Sequence, residues 1–106
     1  MSVNPLTKDE FMGTFSEPMK DVTREESGPL IDIWPYAEEV FMRELPDVPI
    51  DDADVDYVYL SGDGKYHHVG IWYGKPNTYL VVVVNLEGAS IYGHRTLDLN
   101  EEYGLS

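Results

Sequence analysis

Asp52, Asp54 and Asp56 alternate along the chain, and Asp63 stands twelfth counted from Asp52, a spacing that imitates the carboxylates of an EF-hand calcium loop. The sixth position of such a loop needs glycine for its sharp turn. Here it is Tyr57, inside a stretch that already alternates with a period of two. The ladder therefore reads as the solvated edge of a strand, where charge discourages edge pairing. His67, His68 and His94 are the next candidates. Adjacent residues on a strand face opposite sides, so His67 and His68 do not share a metal, and the second and fourth strands of a meander are not neighbours. General acid–base use of His68 or His94 is conceivable because histidine titrates near neutrality, but no serine, cysteine or carboxylate stands at a spacing that marks a partner. Gly62, Gly64, Gly70 and Gly74 lack the strand-to-helix setting of a phosphate loop. No catalytic residue, metal or cofactor is assigned.

The chemistry that remains is recognition. Tyr57, Tyr59, Tyr66, Trp72, Tyr73, Tyr79 and Tyr92 fall on strand-like segments. Most of these rings pack the core or a sheet edge, but a sheet covered on one side leaves some of them facing water. Between Glu38 and Asp56 the chain also carries Glu39, Glu44, Asp47, Asp51, Asp52 and Asp54 against a lone Arg43. Tyrosine gives large contact area at low entropic cost, and carboxylates select a basic counterpart and speed encounter. The candidate partner-binding set is Glu38, Glu39, Asp47, Asp51, Asp52, Asp54, Asp56, Tyr57 and Tyr59.

Charge narrows the partner. Twenty acidic and seven basic residues give a formal net charge of −13 over 106 residues. Residues 1–56 hold fifteen of the acids and four of the bases, so −11 of that charge lies in the first half. Nucleic acid and anionic membranes demand cations, so neither is an expected direct partner. A basic protein is. The expected function is a small acidic binding or inhibitor protein that occludes a basic surface, such as that of a toxin or nuclease, in the manner of nuclease inhibitors and toxin immunity proteins. The alternatives are a nucleic-acid mimic, which needs carboxylates spaced like phosphates along one face, and a small enzyme or ligand-binding domain using His68 or His94. With no cysteine, no run near the roughly 20 apolar residues of a bilayer span and no signal-like amino terminus, a cytoplasmic location is expected.

These side chains are positioned by a single α+β domain over 1–106, with two or three N-terminal helices on one face of a four-stranded antiparallel meander. The meander is built around Tyr79 to Leu86, a nearly unbroken run of β-branched residues that reads as a strand buried on both faces. Val55 to Leu60, Lys65 to Tyr73 and Ile91 to Leu99 supply its partners, and connections this short allow antiparallel neighbours only. Gly93 suggests a bulge in the last strand. Upstream, Thr7 and Glu10 have capping-box spacing and Leu6 and Phe11 that of a hydrophobic staple, which predicts a helix over 8–15. A weaker helix is expected near 17–26, closed by Gly28 and Pro29. Leu30, Ile33, Trp34, Ala37, Val40, Phe41 and Leu45 form one helical stripe, and Pro35 favours a start near itself, giving a helix over 35–45 anchored by Trp34 and Phe41. Glu44 lies inside the stripe and must reach outward. Leu45 to Ile50, with two prolines, is expected to be extended.

Overall fold

A computed structural model of the chain describes residues 4–16, 20–21, 33–88 and 90–98. Strands β2 (Asp54–Leu60), β3 (Tyr66–Trp72), β4 (Thr78–Asn85) and β5 (Ser90–Asp98) follow one another as an antiparallel meander. A two-residue strand, β1 (Lys20–Asp21), extends the sheet by pairing with Leu60 and Tyr59 at the end of β2. The order is β1-β2-β3-β4-β5. The β2–β3 turn is locked by its own side chains: the Ser61 hydroxyl donates to Asp63 at 2.6 Å, and the same carboxylate accepts the Lys65 amide at 3.0 Å. Gly64 supplies the left-handed backbone the turn requires, at φ 73°.

The valine run forms β4, and Leu80 to Val84 have no exposed surface. Alternation along it splits the core into two layers. Leu80 and Val82 join Val58, Val69 and Ile71 beneath helix α2 (Trp34–Glu44), which contributes Tyr36, Ala37, Val40 and Phe41. Val81 and Val83 point the other way, to Leu97, Leu6 and Phe11 of helix α1 (Lys8–Met12). The two helices therefore cover opposite faces, which corrects the expectation that they share one. The reason lies in the run itself, since a strand apolar on every residue needs a cover on both sides.

Helix α1 starts as its capping box dictates, with the Glu10 amide donating to Thr7 Oγ1 at 3.1 Å and the Glu10 carboxylate accepting the Thr7 amide at 3.0 Å. It stops at Met12, short of residue 15, because the Thr14 hydroxyl donates to the Phe11 carbonyl at 2.6 Å within a turn. Of the helix expected near 17–26, residues 20 and 21 form β1 instead, and the others lie outside the described residues. Helix α2 carries Pro35 in its first turn, where the missing amide costs nothing. After it the chain is not extended throughout: Ile50–Asp52 form a 3-10 turn whose Ile50 packs against the α2 layer.

Asn4 to Leu6 form an arm along β5. The Leu6 amide donates to the His94 carbonyl at 2.8 Å, and the His94 amide to the Asn4 carbonyl at 3.0 Å, a parallel bridge centred on Pro5. Gly93 makes this approach possible, since a Cβ there would stand 2.6 Å from the Asn4 oxygen and from a Leu6 methyl. The irregularity near Gly93 falls beside it: β5 has one extra residue, Tyr92, opposite the Val83–Val84 step.

Candidate functional site

Cross-strand register places residues on a common face in rows. Asp54, Trp72, Tyr79 and Leu97 make one row, Tyr57, Gly70, Val81 and Arg95 the next, and Tyr59, His68, Val83 and Gly93 a third. All belong to the face that carries α1, whose Phe11 stacks on the His68 ring at 5.5 Å. Helix α1 thus packs on the third row at His68, while around it Tyr57, Tyr59 and Tyr79 are half-buried, Asp54 and Asp56 are exposed, and Trp72 is 42% exposed.

A bulge brings these groups together. Strict alternation from Asp54 to Val58 would put both aspartates with Val58, on the α2 face, and the tyrosines on the other. Instead the register shifts between Val55 and Tyr57, so Asp54 lies opposite Trp72 while Tyr57 lies opposite Gly70, and both share the tyrosine face. Asp56, the extra residue, comes near enough to Tyr79 for its carboxylate to act on the phenol. Burial and the Asp56 carboxylate together hold the Tyr79 phenol above its ordinary range, so it remains a donor. Tyr57 lies flat over Gly70, where any side chain would occupy the space of the ring. Its centroid is 4.9 Å from that of Tyr59 and 5.4 Å from that of Tyr79. The Trp72 indole donates to the Lys75 carbonyl at 3.1 Å, which fixes the exposed ring.

The other acidic candidates stand elsewhere. Asp47, Asp51 and Asp52 are exposed on the connection between α2 and β2, next to the start of the patch. Glu38 and Glu39 belong to α2 and so to the opposite layer. Glu38 is exposed, whereas Glu39 turns partly inward, close enough for its charge to push up the Tyr36 phenol behind the larger effect of burial. The calcium-like ladder does not close either, because Asp52 and Asp63 flank opposite ends of the seven-residue β2, roughly 20 Å of extended chain. Among the described residues no group of three or more histidines, cysteines and carboxylates could hold a metal ion. Nothing matches among known proteins: no family model, no curated protein and no solved structure.

The histidines are all buried, and they point to both faces. His68 meets the Thr14 hydroxyl at 2.7 Å among Phe11 and Phe15, and burial pushes its pKa down to about 4. His94 sits in the α2 layer, with the Tyr36 hydroxyl 2.8 Å from Nδ1 and a Glu44 carboxylate oxygen 3.2 Å from Nε2. With Nε2 donating to Glu44, Nδ1 accepts from Tyr36, and the Tyr36 oxygen in turn accepts the Asn4 amide at 3.0 Å. Glu44 thus leaves the apolar stripe by reaching a histidine. His67 shares that face, and its Nδ1 is buried with no hydrogen bond. Trp72 and Tyr79 were absent from the sequence-based candidate set. Only register, which pairs Trp72 with Asp54 and Tyr79 with Trp72, marks them.

Proposed function

We propose that this chain is a small acidic binding protein of the immunity or inhibitor type, which occludes a basic surface of a partner protein such as a toxin or nuclease in the cytoplasm. The observation that carries the reading is the shared face of Asp54, Asp56, Tyr57, Tyr59, Trp72 and Tyr79. Half-exposed aromatic rings beside carboxylates are the composition of an interface centre. Asp47, Asp51 and Asp52 stand beside it as a rim that steers encounter, and Glu38 and Glu39 add to the long-range field from the other side. A nucleic-acid mimic is less well supported, because the acids are divided between the two layers. The histidine reading has less support still: His68 and His94 are each 1% exposed, and both rings already contact groups of the same chain.

The test is capture of a partner from a lysate of the source organism at low salt, followed by binding kinetics with the purified pair. Reversing Asp51, Asp52 and Asp54 together to lysine should abolish binding mainly by slowing association, with the fold retained. Tyr57→Ala or Tyr59→Ala should speed dissociation by about 30-fold, equivalent to roughly 2 kcal/mol for a desolvated aromatic anchor. Kinetics unchanged by the triple reversal would refute the reading and leave the acids as a solubility feature.

A further inference from the structure

The turn between β2 and β3 holds a reactive pair. Asp63–Gly64 is the one place in the sequence where an aspartate or asparagine precedes glycine, and both residues are exposed. With no Cβ on the following residue, little stands between its amide nitrogen and the aspartate carboxyl carbon, so the two can condense. The Gly64 nitrogen bonds to Asp63 Cγ, and the carboxyl hydroxyl leaves with the amide proton as water, giving a five-membered succinimide. Water then opens the ring. Attack at the side-chain carbonyl restores aspartate, whereas attack at the main-chain carbonyl leaves the backbone running through Cγ, an isoaspartyl link one carbon longer. Water is the sole co-reactant.

The groups this condensation needs are engaged elsewhere. Ser61 is buried, and its Oγ accepts the Tyr66 amide at 3.1 Å. A carboxylate only accepts, so the single hydroxyl proton goes to Asp63 Oδ1, 2.6 Å away. The same oxygen takes the Lys65 amide at 3.0 Å, past Gly64, while the Gly64 amide donates back to the Ser61 carbonyl at 2.9 Å. The Ser61 bond first, and the Lys65 amide after it, hold the Asp63 carboxyl below its ordinary range. An ionised carboxyl has no hydroxyl to lose. We propose that Asp63–Gly64 is an isoaspartate-forming site that the Ser61 hydroxyl keeps closed, with Ser61 acting as a positioning residue. An added backbone carbon here falls inside the turn that sets β2 against β3, within the closing bond from the Ser61 amide to the Tyr66 carbonyl at 2.9 Å. The site does not depend on what the tyrosine face binds.

The test incubates three samples at pH 7: the folded wild type, folded Ser61→Ala, and the wild type unfolded in urea. Peptide maps then measure the isoaspartyl form of the fragment containing Asp63, equal in mass to the original but eluting apart from it, and circular dichroism reports the fold of each sample. The folded wild type should accumulate isoaspartate about tenfold more slowly than its unfolded chain, the factor expected from hydrogen bonds to a charged group. Ser61→Ala should recover most of that factor while folded, and Ser61→Thr, which keeps the hydroxyl, should stay slow. If Ser61→Ala does not fold, Ser61→Cys takes its place, since its thiol is a weak donor of similar size. A folded wild type as fast as the unfolded chain would overturn the proposal. So would a folded Ser61→Ala or Ser61→Cys as slow as the wild type, or a folded Ser61→Thr as fast as the variants without the hydroxyl.

Discussion

Acidification should unfold this protein through His68 before its carboxylates are engaged. The ring is 1% exposed, stacked on Phe11 at 5.5 Å and set edge-on to Phe15 at 4.5 Å. Burial depresses its folded pKa from 6.5 to about 4, a hydrogen bond from the ring to the Thr14 backbone opposes this, and the charge of neighbouring His67 adds to the depression. In the unfolded chain the ring protonates near its ordinary value, so below pH 6.5 the unfolded state binds the extra proton and gains on the native state. The contribution is complete above pH 6.5 and is lost as the pH falls toward 4. Two and a half pH units at 1.36 kcal/mol each make it about 3 kcal/mol, a large share of the stability of a domain this size. Urea melts of the wild type and of His68→Leu across pH 7.5 to 4 give the contribution as the change in their difference. The wild type should lose about 3 kcal/mol more than the variant over the interval. Parallel profiles, or a His68 ring that titrates near 6.5 by NMR, would refute this account.

Three further outcomes are expected. Phe41→Ala, which empties a site 1% exposed against Tyr73, should cost on the order of 3–5 kcal/mol in denaturant melts, while Asp51→Asn and Asp52→Asn should change little. Tyr36→Phe leaves the Asn4 amide and the buried His94 Nδ1 without their partner and should cost about 1–3 kcal/mol, with faster amide exchange at Asn4. Gly93→Ala should push the arm off β5, seen as loss of exchange protection at Leu6 and a destabilisation of about 1–3 kcal/mol.

What could be read from the sequence was mostly local. The Thr7–Glu10 box and the Pro35 start each involve residues within one helical turn, and both are found. The four long strands follow from alternation and from the valine run. Distant partnerships were hidden: Tyr36 falls on the same helical side as Val40, but its phenol is satisfied by Asn4 and His94, 32 and 58 residues away. The same holds for Glu44, whose partner His94 is 50 residues on. The binding face was half legible. Composition marked Asp54, Asp56, Tyr57 and Tyr59, but period-two alternation sets the aspartates against the tyrosines. The bulge that reunites them leaves no mark in residue type.

The arm along β5 also bears on the order of assembly. Strands β2 to β5 pair only with their sequence neighbours, so each hairpin closes over a short loop and the meander can form from local steps. The Asn4 side chain, by contrast, donates to the Tyr92 carbonyl across 88 residues, and β5 is synthesised after β2 to β4. Residues 4–6 must therefore wait for β5 before they can dock. Until then the face of Val81 and Val83 lacks Leu6 and Phe11, and the outer backbone of β5 at His94 is unpaired. This segment is the natural point for a second copy's arm to dock in place of the chain's own, an exchange that adds no new contact. Refolding at rising protein concentration should reveal it as dimers that dissociate only when the protein unfolds. Strictly monomeric refolding at every concentration would show that the arm docks faster than chains meet.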